Sequence, residues 1–146
     1  MRALLQRVDR AAVHVDGQEV ARIGKGLLVF LGCAKADGEA EAERLAARVA
    51  RYRVFPDDEG KTNLNVREAR GSVLVVPQFT LAADTKKGNR PSFSSTLPPG
   101  QAQGLVEVFV RALRDTDLVV AEGVFGAEMS VELTNHGPAT YLLEVV

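Results

Sequence analysis

The chain has 146 residues, of which 46% are hydrophobic, enough apolar material for one domain with a proper core. Its formal net charge of −1 lacks the basic surplus of a general nucleic-acid binder, so any contact with RNA must be local, and DNA is not an expected partner. Its single cysteine, Cys33, beside an apolar run, allows no internal disulfide and reads as a buried, inert thiol; two histidines without ligand spacing call for no metal, and no cofactor is expected.

In chain order, Leu4 to Val8 and Ala11 to Val15 alternate as strands, and an Asp16-Gly17 turn leads back through Glu19 to Ile23. Leu27 to Leu31 is an unbroken apolar run, the signature of a strand covered on both faces and too short to cross a bilayer. The charged start Met1-Arg2 does not fit a signal peptide, and a cytoplasmic location is expected. From Asp37, read as an N-cap, the period changes. Ala42, Leu45, Ala46, Val49 and Tyr52 mark one face of a helix, with Glu41, Arg44, Arg48 and Arg51 opposite.

Pro56 to Gly60 is turn-rich, and Val73 to Val76 is a short apolar strand that ends at Pro77-Gln78-Phe79-Thr80. Lys86, Lys87 and Arg90 form a compact cationic loop bracketed by Gly88 and Pro91. A second helix starts after Pro98-Pro99, with Ala102, Leu105, Val106, Phe109 and Leu113 inward; Gly104 within it is read as a close-packing position. Leu118 to Ala121 is a strand. Met129 to Leu133 and Tyr141 to Val145 then read as a final strand pair joined by a turn at Asn135-His136-Gly137-Pro138-Ala139-Thr140. Without repeats or linkers, residues 1–146 make a single α+β domain of mixed sheets curled toward a barrel, with two main helices packed on them.

Few side chains declare chemistry. Gln78, Phe79 and Thr80 sit at a strand exit, where polar groups and free backbone amides can face a ligand; a plain strand exit is the other reading. Thr80 as a nucleophile needs a neighbouring base, and no His, Lys or Asp is visibly committed to it. His14 and His136 read as solvated, and the Gly137-Pro138 step reads as an ordinary trans turn or as a cis bond that aims backbone carbonyls into a site.

Taken together, Pro77-Gln78-Phe79-Thr80, the Lys87 to Phe93 segment and Asn135-x-Gly137-Pro138-x-Thr140 resemble the D-aminoacyl-tRNA deacylases, and the likeness extends from Leu5-Gln6-Arg7-Val8 through Asn63-Leu64-Asn65-Val66 to the last strands. The resemblance implies a homodimeric, metal-independent enzyme of translation quality control. Such an enzyme hydrolyses D-aminoacyl-tRNA, and glycyl-tRNA mischarged on alanine tRNA, to amino acid and tRNA. It implies that Gln78, Phe79 and Thr80 form the catalytic segment, largely through backbone N–H groups, with the tRNA 2′-hydroxyl assisting. Gly137 and Pro138, held cis, would enter the partner's site and exclude L-side chains with their carbonyls. Ala102, Phe125 and Met129 would line the terminal-adenosine pocket or, read without the resemblance, fill the core. Lys86, Lys87 and Arg90 are the candidate tRNA contacts. Two positions depart from the family pattern: Pro77 replaces the usual serine, which removes a hydroxyl and an amide proton, and His136 replaces a common aspartate. The competing functions are a hydrolase with Thr80 as nucleophile and a non-catalytic tRNA-binding or dimerisation module.

Overall fold

A computed structural model describes all of residues 1–146. Its centre is β1 (Arg2–Val15), which is long enough to pair on one side first with β3 (Gly26–Gly32) and then with β2 (Gln18–Ile23). Asp16 and Gly17, with φ of 51° and 77°, make the β1–β2 turn that the Asp-Gly pair predicts. β3 runs parallel to β6 (Ser72–Pro77), and β6 parallel to β7 (Val120–Glu122). Between them, β4 (Phe55–Pro56) and β5 (Thr62–Leu64) form a small separate hairpin. The main sheet curls until β2 approaches β6 and β7, which gives the expected barrel-like core.

Each face of this sheet has its own apolar cluster. Leu27, Val29 and Leu31 of β3 and Val73 and Val75 of β6 point toward α1 (Glu39–Arg51) and α2 (Pro99–Arg114), into a cluster of 29 buried residues. Leu28, Leu74 and Val76 point the other way, into a smaller cluster with Val8, Val13 and Ile23 inside the barrel. The continuous apolarity of β3 therefore reflects burial on both faces. No helix is long and apolar enough to cross a membrane.

Three sequence expectations need correction. The last two runs are one strand, β8 (Ser130–Glu144), antiparallel to β1 along nearly its whole length, from Arg2↔Glu144 to His14↔Ser130. Gly137-Pro138 therefore lies in a bulge instead of a hairpin turn. From Gln6 to Val8 β1 advances two residues while β8 spans five, from Thr140 to Asn135, so three extra residues are extruded there.

Asp37 does not cap α1. Gly38 is the N-cap residue, and its N–H donates to the Glu41 carboxylate at 2.8 Å, whereas Asp37 accepts from the Met1 amine at 2.6 Å and from the Ala34 N–H at 2.7 Å. Gly104 faces open space, with nothing within 4 Å of where a Cβ would stand, so no close approach explains it.

Candidate active site

The first component of the site grows from the end of β6. The Gln78 N–H donates to the Leu31 carbonyl at 2.8 Å, as the last rung toward β3, and the chain then enters a 3₁₀ turn over Phe79–Ala82. Gln78 is not helical (φ −141°, ψ 84°), so it redirects the chain, and Leu81 N–H closes the turn on its carbonyl at 3.1 Å. The Phe79 N–H, at the first position of the turn, has no carbonyl within the turn to bond.

Beside this turn lies a groove of about 270 Å³ lined by Phe30, Pro77, Gln78, Phe79, Met129 and Val131, together with Gly126 and Ala127. Phe79 is 59% exposed, large for an aromatic side chain, and its ring meets Phe93 at 5.2 Å between centroids. That contact brings the cationic loop to the groove. Asp84 and Ser92 exchange backbone hydrogen bonds at 2.8 and 2.9 Å, closing the loop beneath Lys86, Lys87 and Arg90, all exposed and none paired with a carboxylate.

Thr80 Oγ1 accepts from Gln78 Nε2 at 3.1 Å, a contact that orients both side chains but offers no base. The His136 imidazole stands 3.9 Å from the Asp9 carboxylate. Of the three residues aligned with an adenosine pocket, Met129 lines the groove, Phe125 packs against the helix-side cluster, and Ala102 is buried within that cluster on α2.

The second component is the β8 bulge. Its Gly137-Pro138 peptide bond is cis, and both residues are exposed. Two side chains fasten it. Asn135 Nδ2 donates to the Arg7 carbonyl at 2.9 Å and across the bulge to the Ala139 carbonyl at 3.2 Å. Arg7, whose guanidinium is buried, donates from Nε to the His136 carbonyl at 3.0 Å and from Nη1 to the Val54 carbonyl at 2.7 Å.

Sequence reasoning missed Arg7 as a positioning residue. The signal was present: Ala3, Leu5 and Arg7 share one face of β1, so a guanidinium occupies a core position and must be satisfied by hydrogen bonds there.

The two components do not meet within one chain. From the level of Arg7 to that of Gln78 the path crosses three strand spacings and about five residues, roughly 20 Å along the sheet. They also belong to opposite faces, because Arg7 enters the helix side whereas Phe30, Met129 and Val131 line the barrel side.

Comparison with known proteins gives a consistent result. The family described as D-Tyr-tRNA(Tyr) deacylase matches residues 4–144. A D-aminoacyl-tRNA deacylase of Photobacterium profundum is 54% identical over 145 residues, covering 99% of this chain and all of that protein. One from Escherichia coli O1:K1 is 53% identical over the same length, with 99% of this chain and all of that protein covered. Among solved structures, the c-Myc DNA Unwinding Element Binding Protein superposes with a TM-score of 0.94 at 39% identity, covering 100% of this chain and 99% of the other. A probable eukaryotic D-amino acid tRNA deacylase shares the fold alone, at 16% identity and a TM-score of 0.81, over 99% of this chain and 98% of its own.

Proposed function

The chain belongs to the D-Tyr-tRNA(Tyr) deacylase family and acts as a hydrolase on the ester of D-aminoacyl-tRNA; from that premise we propose that its working site is shared between two copies. The groove at Gln78, Phe79 and Thr80 of one protomer binds the 3′ end of the tRNA. Gly137 and Pro138 of the other protomer form the wall that reads chirality. The observation that carries this reading is the separation of the two components onto opposite faces of one sheet, while the bulge is exposed and fastened at both ends. The edge of β8, a 15-residue strand paired only with β1, is open outside its Glu144 end, where Arg48 takes the carbonyl, and supports a homodimer, since so long an edge is ordinarily covered.

The proposed mechanism takes its 2′-hydroxyl assistance from the family resemblance and its protein donors from the Gln78–Thr80 segment. The Thr80 hydroxyl is bonded to an amide instead of a base, so attack by the protein is disfavoured, and the tRNA's own 2′-hydroxyl assists water at the ester. The Phe79 N–H supplies a fixed donor for the oxyanion as the carbonyl becomes tetrahedral; such a donor is typically worth a few kcal/mol. Backbone carbonyls of Gly137 and Pro138 accept from the substrate's amino group and leave no room for an L-side chain. Glycine has none to exclude, so glycyl-tRNA is also cleaved. Lys86, Lys87 and Arg90 hold RNA phosphates beside the groove.

Single-turnover deacylation of D-tyrosyl-, L-tyrosyl- and glycyl-tRNA, each with EDTA, tests the reading. Loss of the D- and glycyl-esters with the L-ester spared is expected. Survival of all three would overturn the activity, and loss of all three would overturn the chiral wall.

A further inference from the structure

A second basic surface lies on the helix side, away from the cationic loop. A groove of about 470 Å³ opens between the C-terminal half of α1 and the β4–β5 hairpin, with Arg48, Arg51, Tyr52, Arg53, Val54 and Tyr141 in its walls and a threonine completing them. It contains no carboxylate. Each of the three guanidiniums is exposed and makes a single hydrogen bond to a neutral acceptor: Arg48 to the Glu144 carbonyl at 2.9 Å, Arg51 to the Ala47 carbonyl at 3.1 Å, and Arg53 to Asn63 Oδ1 at 3.3 Å. A guanidinium has five N–H donors, so most of theirs remain free.

Neighbouring acids are committed elsewhere. Glu144 pairs with Arg2 at 3.1 Å and Glu41 with Arg44 at 2.7 Å; Asp57 accepts from the Glu59 and Lys61 amides at 2.9 Å and reaches Arg53 only through Asn63, whose Nδ2 donates to it at 3.3 Å. In a chain of net charge −1, this is a local concentration of uncompensated positive charge. Cations in a last helical turn also complement the helix dipole, which accounts for Arg48 and Arg51 but not for Arg53, beyond the helix end.

The groove is tied to the chirality wall. Val54 lines it, and the same Arg7 guanidinium that bonds the Val54 carbonyl holds the His136 carbonyl next to Gly137. Tyr52 and Tyr141 stand edge to face at 6.2 Å, and Arg48 lies 5.9 Å from the Tyr52 ring, so the walls are partly aromatic.

We propose that this arginine groove binds the sugar-phosphate backbone of the tRNA whose 3′ end occupies the partner's active site, so that each tRNA is held by both protomers. The inference rests on the shared site proposed above. On that arrangement the Gly137–Pro138 end of one protomer lies against the Gln78 groove of the other, and the arginine groove is joined to that end through Val54 and Arg7. Arginine suits phosphate because its planar fork can bond two oxygens at once.

The test is equilibrium binding of deacylated tRNA to the full-length protein between 50 and 200 mM salt. Each lost phosphate contact lowers the slope of log K against log salt by about 0.7 to 0.9. The triple variant Arg48→Gln, Arg51→Gln, Arg53→Gln is expected to bind about tenfold or more weakly, with a slope shallower by about 2 to 3. The corresponding triple lysine variant keeps most of the slope, and Arg22→Gln, whose partner is Glu19 on β2, keeps the wild-type slope.

Should the triple variant fail to fold, Arg51→Gln alone, whose only bond is to its own helix, carries the test with a slope change of about one. Wild-type affinity and slope in these variants would overturn the proposal and leave the groove to an acidic polypeptide. Deacylation of D-tyrosyl-tRNA by the wild-type protein is scored separately. Its absence would remove the activity reading, whereas unchanged binding would remove the groove alone.

Discussion

The two halves of the proposed site are built in opposite ways. The groove at Gln78–Thr80 stands on a short 3₁₀ turn with an exposed phenylalanine and one side-chain hydrogen bond, whereas the Gly137–Pro138 bulge is tied by a buried guanidinium and a bridging asparagine. The contrast matches the work proposed for each. A groove that receives a flexible RNA end gains from adaptable walls, but a wall that discriminates by exclusion works only if it does not yield. Changes in the groove should therefore slow turnover without lowering stability, and changes in the clamp should lower stability and relax discrimination together.

Phe79→Pro compared with Phe79→Ala should give the largest effect. Both remove the ring, but only proline removes the N–H, and the non-helical Gln78 before it accommodates a following proline. The proline variant is expected to turn over D-tyrosyl-tRNA about 100-fold more slowly than the alanine variant, with similar melting temperatures. Equal rates would remove the amide from the mechanism.

Arg7→Met comes next. It strips both carbonyls of their donor, the Val54 one in a buried setting, and should cost about 1–3 kcal/mol in urea unfolding while raising L-tyrosyl-tRNA cleavage. Lost stability with unchanged discrimination would make Arg7 merely structural. Asn135→Ala, which removes two partly buried bonds, should act in the same direction by about 1 kcal/mol. Gly104→Ala lies outside both regions. It fills open space on α2 and is expected to raise stability by up to about 1 kcal/mol, seen as a higher melting temperature at unchanged discrimination.

Much of this was legible in the sequence where the pattern is local. The Asp16-Gly17 turn, the two amphipathic helices and the doubly covered β3 follow from residue type and period over a few positions. Cys33 is buried as read, and burial, followed by the nearby Asp37 charge, pushes its thiol up to about 11, which keeps it protonated near neutrality.

What was not legible depends on distant partners. Gly-Pro looks like a turn because nothing nearby reveals that β1 runs alongside both flanking segments; only the long pairing makes it a bulge. Asp37 looks like a cap until the Met1 amine, 36 residues earlier, is seen to take its carboxylate. The motifs single out Gln78 and Gly137 and include Asn135, yet Arg7, which also holds the bulge, and Val54, which anchors Arg7, lie far from it in sequence.

The central claim, a site divided between two chains, is tested by co-producing two differently tagged variants. Pro138→Ala is made with an excess of Phe79→Pro, so that nearly every Pro138→Ala chain is paired with a Phe79→Pro chain, and the doubly tagged dimers are assayed on D- and L-tyrosyl-tRNA. In a divided site, the intact Gln78–Thr80 groove of one chain receives the intact Gly137–Pro138 wall of the other. The mixed dimer should then cleave the D-ester and spare the L-ester, although the Pro138→Ala homodimer cleaves both. If the mixed dimer cleaves the L-ester as readily as that homodimer, the wall acts within its own chain and the account is wrong.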